Sequence, residues 1–326
     1  MKSGRSKKKK ENRGFALVSI LERYLIIFRT KNLVTRIGVI GTGMLGKAVG
    51  LHLLESGYQL TVYNRTKSKT EELKNHGATV VDSPKDVARS SDLVITIVKD
   101  ANAVKDVSFG KDGIVDGKHD DLIVADMSTI NPNASKEIAK QFSKHGIIML
   151  DTPVMGGPNV AITGKLVLMA AGDKDAFETH KKIFETIASK TFFLGPNGTA
   201  HSVKLAMNLQ IGMLALALSE GITLARGAGV DPEVFLSILN STYFKTGMSE
   251  NKAYNMIKDE YSPTFTLSNL KKDLDTINEA AKEFGLKLPM ATKANEIYKK
   301  ANDEGFGDLD YTGILAYLKK AAKLVD

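Results

Sequence analysis

The sequence predicts a doubly wound α/β domain with a mostly parallel sheet, joined by a long helix to an all-α C-terminal domain. Three observations carry this. Short β-branched runs alternate with helical stretches from Thr35 to about residue 197, a glycine-rich turn separates the first run from the first helix, and strand-like runs stop at Gly198. Alternation of this kind builds βαβ units, whose crossovers leave neighbouring strands parallel.

The strand-like segments read Arg36–Ile40, Gln59–Tyr63, Thr79–Val81, Leu93–Val98, Leu122–Asp126, Ile147–Leu150, Leu166–Ala170 and Thr191–Leu194. Helical patterns lie between many of them, at Leu45–Ser56, Lys69–His76 and Ala134–His145 for example. Beyond Gly198, Thr199–Gly227 reads as one long helix dense in Ala, Leu and Met. Further helices are expected at Pro232–Leu239, Leu267–Phe284, Met290–Glu304 and Thr312–Leu324. Gly227 and Asp231-Pro232 suit a helix end followed by a helix with proline in its first turn. The expected domains are 35–197 and 198–326, preceded by an extension at 1–34.

Composition narrows the function classes. With 43% apolar and 25% charged residues the chain has the balance of a globular protein. It has no cysteine, which excludes disulfides, thiolate metal sites and a cysteine nucleophile. Six histidines show no pair at metal-ligand spacing beside a carboxylate, so no metal is expected. The net charge of +8 belongs to the extension: residues 1–34 hold ten Lys/Arg against Glu11 and Glu22, leaving 35 basic and 35 acidic residues elsewhere. The body is therefore neutral, and nucleic acid is not an expected partner for it. The extension pairs the basic run Lys7–Lys10 with the apolar stretch Phe15–Phe28. Glu22 and Arg23 interrupt that stretch, which is short of a membrane span and poor as a signal peptide. A membrane-surface helix or an organelle presequence are its functional readings, and an over-extended N-terminus the plain one. A cytoplasmic location is the expectation for the body.

Ile37-Gly38-Val39-Ile40 runs directly into Gly41-Thr42-Gly43-Met44-Leu45-Gly46, with a helix after it and a second strand at the right distance. In that context GxGxxG is a dinucleotide fingerprint, so the α/β domain is of Rossmann type. Gly41 permits the tight turn, Gly43 lets backbone approach a pyrophosphate, and Gly46 lets helix and strand pack closely. The helix N-terminus offers free N–H groups to phosphate. Val98, at the end of the strand beginning at Leu93, is expected among the cofactor contacts as well. The second strand ends in Asn64-Arg65-Thr66, without the acid that binds a ribose 2′-hydroxyl. Arg65 can instead pair with a 2′-phosphate, helped by Lys67 and Lys69, so NADP(H) is preferred over NAD(H).

Four segments carry the candidate chemistry. On the long helix, Lys204 and Asn208 are four apart and share a face. A lysine among Ala, Leu and Met serves as acid/base if its surroundings lower its pKa, and otherwise merely extends toward water. Asp126-Met127-Ser128-Thr129 ends a strand where open sheets bind ligands, although Ser128-Thr129 also reads as a helix cap before Asn131-Pro132. Asp151 to Gly157 ends in glycines whose N–H groups suit a carboxylate or simply form a turn. Lys271-Lys272-Asp273 follows Phe265 on a later helix, where a solvated face is the plain reading.

Together these motifs resemble the β-hydroxyacid dehydrogenase family, in family order and spacing over about residues 35–324. The resemblance rests on GTGMLG with NRT, DMST, DTPVMGG, the Gly198…Lys204…Asn208 helix and LKKDL. It implies a Rossmann domain and a helical domain with the active site between them, in a homodimer or homotetramer. It implies Lys204 as acid/base, Asn208 orienting the substrate, and Ser128, Thr129, Gly156 and Gly157 holding its carboxylate. Lys272 would reach into the cleft toward substrate and cofactor, supported by Asp273. The implied reaction moves hydride between NADP(H) and a small β-hydroxy acid or aldehyde acid of the 3-hydroxyisobutyrate, succinic semialdehyde or glyoxylate type. Three departures stand out: Met155 where the family commonly has serine, Ala200 for a glycine, and Met207 for the first of two asparagines. The alternatives are an imine reductase-like enzyme, against which Lys204 argues, and a non-catalytic binding module with a basic tail. The larger 6-phosphogluconate dehydrogenases are related but longer at the C-terminus.

Overall fold

The computed structural model describes residues 35–324, so the readings made for the N-terminal extension lie outside the described residues. Six short strands form the main sheet: β1 Ile37–Ile40, β2 Leu60–Tyr63, β3 Thr79–Val80, β4 Leu93–Thr96, β5 Ile123–Asp126 and β6 Ile148–Asp151. Their order is β3-β2-β1-β4-β5-β6, and every pairing is parallel. β1, β4 and β5 are buried along their whole length, as strands covered on both faces must be. One face packs Ile37 and Val39 against Leu53, Ile183 and Phe184, and the other packs Ile40, Val94 and Val124 against Ile138 and Phe142. Strand order reverses between β1 and β4, which opens a crevice at their C-terminal ends.

The strands read at Leu166–Ala170 and Thr191–Leu194 do not extend the main sheet. They lie in a second, three-stranded one: β7 Val154–Met155, β8 Leu166–Ala170 and β9 Ala188–Phe193. β7 pairs antiparallel with β8, and β8 pairs parallel with β9. The connection from β7 to β8 holds only the single-turn helix Pro158–Ala161, too little for the crossover of about a dozen residues that a parallel pair requires. An isolated antiparallel bridge from Asp151 to Ala171 joins the two sheets. The two-residue strand β7 had no legible sequence signal.

Helix ends follow local chemistry. Ser83, Asp100, Asn131, Asp173, Asp231 and Thr266 each accept a backbone N–H of the helix they open. Each such cap contributes about 1 kcal/mol. Asn131 is thus the cap of Pro132–Lys144, and Ser128 and Thr129 are free for another use.

The helical half is built on Thr199–Gly227. Its Leu205, Ala215 and Leu216 pack with Leu270, Leu274, Tyr298 and Ile314 from the helices Leu267–Glu283, Pro289–Ala301 and Ile314–Ala321. Further along, Leu218 and Ile222 meet Leu236, Met256 and Leu315. By length and composition Thr199–Gly227 could cross a membrane, but here it is the spine of this core. The helix expected over Met290–Glu304 ends earlier, at Ala301, and passes into a wider turn at Asn302–Phe306 where Gly305 has φ +95°. From Arg36 onward both halves pack as one unit.

Candidate active site

The glycine-rich turn has the shape that a dinucleotide requires. Gly41 sits at φ +98°, and a Cβ there would lie 2.1 Å from the Ile97 carbonyl oxygen. A Cβ on Gly46 would lie 2.0 Å from the Gly41 carbonyl oxygen, so strand and helix close on each other only because both are glycine. Gly43 caps the helix Met44–Glu55, and a Cβ there would meet no protein atom within 4 Å. The space that it leaves clear lies in front of the helix N-terminus, where a pyrophosphate would be held. Asn64 braces the turn: its Oδ1 accepts the Thr42 N–H (3.1 Å), and its Nδ2 donates to the Thr66 carbonyl (2.8 Å). Arg65 and Thr66 are exposed beside it. Lys67 is committed to Asp82 at 2.8 Å rather than to the Arg65 side. Val98 abuts Gly41, and its N–H donates to Ser128 Oγ (3.0 Å).

A cavity of 280 Å³ lies where the two halves meet. The α/β half lines it with Leu45, Thr129, Met155, Gly156 and Gly157, and the helical half with Lys204, Asn208, Lys252, Thr264, Phe265 and Tyr311. Two larger, more open depressions, at Lys136–Asn197 and Asn278–Glu296, do not include these residues. Lys204, Asn208, Thr129, Gly156 and Gly157 are therefore brought together as the sequence suggested. Ser128 is buried behind them, linking the end of β5 to Val98.

Lys204 is half-buried, and its Nζ lies 3.4 Å from Met155 Sδ. Burial, the largest influence, pulls its ammonium down to about 8; Asp273 opposes this and Lys272 adds to it. One turn on, Asn208 donates from Nδ2 to Asp273 Oδ2 (2.6 Å), and its buried Oδ1 has no donor among the described residues. Asp273 thereby fixes the amide of a residue that lines the cavity. Asp273 Oδ1 is 2.6 Å from Lys272 Nζ, which also donates to the backbone carbonyls of Lys99 (3.0 Å) and Thr129 (3.1 Å). Lys272 thus spans from the helical half to the strand ends, next to the cavity rather than in its lining.

Beneath Lys204 is a buried polar cluster. His201, one turn earlier on the same helix, places Nε2 3.7 Å from Asp126 Oδ2 and 3.9 Å from Asp151 Oδ1. All three side chains are wholly buried. Asp126 accepts from Thr96 Oγ1 (2.6 Å) and the Ser128 N–H (3.3 Å). Burial pushes its carboxyl above the usual range, opposed by His201 and these hydrogen bonds. Asp151 accepts from Ser135 Oγ (2.6 Å), Asn197 Nδ2 (2.9 Å) and the Gly198 N–H at the start of the long helix. The end of β6 is so fastened to the start of the helix that carries Lys204, and His201 packs between the ends of β5 and β6.

The opposite wall comes from residues without any local motif. Lys252 Nζ makes 2.8 Å contacts to both oxygens of Asp310 and one of 2.9 Å to Thr264 Oγ1, over the Tyr311 ring. Burial would raise the Asp310 carboxyl, but these bonds hold it below its ordinary range. Lys252, Thr264 and Tyr311 escaped the sequence reading because they are distant in the chain. Only their shared cavity shows that they belong together.

Both halves of the chain match known protein families. Residues 36–195 match the family described as the NAD binding domain of 6-phosphogluconate dehydrogenase, and residues 198–318 the one described as NAD-binding of NADP-dependent 3-hydroxyisobutyrate dehydrogenase. Glyoxylate/succinic semialdehyde reductase 1 of Arabidopsis thaliana is 34% identical over 283 residues, covering 87% of this chain and 98% of that protein. The chain belongs to the β-hydroxyacid dehydrogenase family. The chloroplastic reductase 2 of the same plant is 32% identical, over 87% of this chain and 80% of its own length. The crystal structure of a 3-hydroxyisobutyrate dehydrogenase from Salmonella typhimurium superposes with a TM-score of 0.80 at 26% identity, covering 87% of this chain and 99% of that one. As a family member the chain is an oxidoreductase acting on CH–OH donors, with an NAD(P)-binding domain at residues 36–195.

Proposed function

We propose that the chain interconverts a small hydroxy acid and its aldehyde acid with NADP(H), using Lys204 as general acid/base. The observation that carries this is Lys204 itself, whose ammonium is pulled to about 8 in a cavity that it shares with Asn208, Gly156 and Gly157. A group poised near working pH can both give and take a proton. When bound, the dinucleotide would supply or accept the hydride. In reduction the Lys204 ammonium protonates the oxygen that gains charge. In oxidation its neutral amine takes the hydroxyl proton. Asn208 orients the hydroxyl, while the N–H groups of Gly156 and Gly157, with Thr129, hold the carboxylate. Asp273 and Lys272 fix Asn208 and the strand ends around it.

The glyoxylate/succinic semialdehyde reductases at 34% and 32% identity support an aldehyde acid as substrate. The test is NADPH oxidation with glyoxylate, succinic semialdehyde and methylmalonate semialdehyde, beside NADP⁺ reduction with 3-hydroxyisobutyrate. Turnover of at least one acid is expected, and reduction of cyclic imines alone would contradict the reading.

NADP(H) is preferred in this proposal because Asn64-Arg65-Thr66 offers a guanidinium and no carboxylate where a 2′-phosphate would lie. Arg65→Asp should weaken NADPH about tenfold or more and improve NADH, since one charge-assisted contact is lost and a repulsion gained. Unchanged NADPH affinity with NADH used no better would refute the preference. Val203, Met207, Leu214 and Leu224 leave an exposed apolar stripe along the long helix, which supports the expected homo-oligomer. Light scattering on the purified chain should give at least a dimer mass; a monomer at micromolar concentration would oppose this.

A further inference from the structure

Met155 is the one side chain recorded within bonding distance of the Lys204 ammonium, among the described residues. Its backbone is fixed by the pairing of β7 with β8, opposite Val167. One side of its side chain packs on Met169, Ala171 and Ala200, while Sδ faces Nζ at 3.4 Å in the cavity. A thioether is a weak acceptor and does little to hold a lysine proton. The corresponding sulfoxide is polar, with an oxygen that accepts strongly. The chain has no cysteine to consume an oxidant first.

We propose that Met155 is a reversible oxidation site, whose sulfoxide binds the Lys204 ammonium and slows turnover. The inference rests on Lys204 as the acid/base. The oxidant is hydrogen peroxide. The sulfur lone pair attacks one peroxide oxygen, the S–O bond forms as the O–O bond breaks, and the departing hydroxide leaves as water with the remaining proton. Sulfur loses two electrons and the peroxide gains them. The new oxygen lies on the Lys204 side, where it accepts from Nζ and takes the place of a substrate oxygen. A hydrogen bond to the charged form favours that form. Lys204, which burial brings down to about 8, would move back up. A rise of about one unit leaves roughly a tenth of the free amine at neutral pH.

The test treats the full-length protein with hydrogen peroxide and follows three quantities. Sulfoxide at Met155 and at the well-exposed Met290 is read by peptide mass spectrometry, hydroxy-acid oxidation is read against pH, and acylation of Lys204 by an amine reagent is timed. The expected result is an activity loss of about tenfold at neutral pH that tracks Met155 sulfoxide, slower Lys204 acylation, and recovery with methionine sulfoxide reductase. Met155→Leu, compared with its own untreated form, should lose this sensitivity. Four outcomes overturn the proposal: equal sensitivity in Met155→Leu, Met155 sulfoxide without change in rate, Met155 sulfoxide without change in acylation, or Met155 left intact where Met290 is fully converted. Normal turnover in Lys204→Ala would instead sink the underlying reading. The acylation rate, which needs no turnover, keeps the two failures apart.

Discussion

Lys204→Ala is expected to lower turnover ~10²–10⁴-fold, the usual worth of a positioned acid/base, while NADPH binding stays nearly unchanged. The separation follows from the geometry. The cofactor turn at Gly41–Gly46 is held by Asn64, the Tyr63 carbonyl and the close approach to Ile97, none of which involves the long helix. Lys204 touches Met155, and its charge is felt by Asp273 and Lys272, so its loss empties the chemical step rather than the nucleotide site. Stopped-flow hydride transfer and NADPH fluorescence titration measure the two parts separately. A variant with near-normal turnover, or one that loses NADPH as well, would contradict this division of roles.

Asp151→Ala is expected to cost about 3–5 kcal/mol of stability, because it removes a carboxylate that satisfies several buried donors. The Ser135 hydroxyl and the Gly198 N–H would lose their acceptor inside the protein, the Asn197 amide would keep only the Met149 carbonyl, and His201 would lose one of two neighbouring carboxylates. Each stranded buried group costs about 1–3 kcal/mol. For a domain of this size roughly 2–4 °C is lost per kcal/mol, so a fall in Tm of about 10 °C is expected. Asp151→Asn, which keeps one acceptor oxygen, should lose less. Equal Tm values for wild type and Asp151→Ala would show that the cluster does not tie the sheet to the catalytic helix. Residual activity should fall too, because Gly198 begins the helix that carries Lys204.

What the sequence disclosed depended on the distance over which each signal is written. GTGMLG is a local statement: the strand, turn and helix that give its glycines their meaning adjoin them, and β1 and the helix Met44–Glu55 form where the pattern put them. Helical spacing puts Lys204 and Asn208 on one face, but it was their company with the other family motifs that marked the pair as a candidate site. The second sheet was not, since the antiparallel turn of β7 onto β8 depends on a short connection and not on strand composition. The buried place of His201 was equally silent; in sequence it is a polar residue near a helix start, and only the ends of β5 and β6 make it the centre of a cluster. Lys252, Thr264 and Tyr311 converge through the folding of the helical half. Met155 was visible as a departure from the family serine, but its contact with Lys204 appears only in three dimensions.

The most direct test of the central claim is the pH dependence of the chemical step measured in both directions with wild type and Lys204→Arg. With Lys204 near 8, hydroxy-acid oxidation should rise with pH through about 8, as the amine loses its proton. Carbonyl reduction should fall over the same interval, as the ammonium is lost. Lys204→Arg, which stays protonated throughout, should remove the rising limb of the oxidation. Mirror-image limbs that vanish with the lysine are the result predicted here. Limbs that persist unchanged in Lys204→Arg would place the acid/base elsewhere.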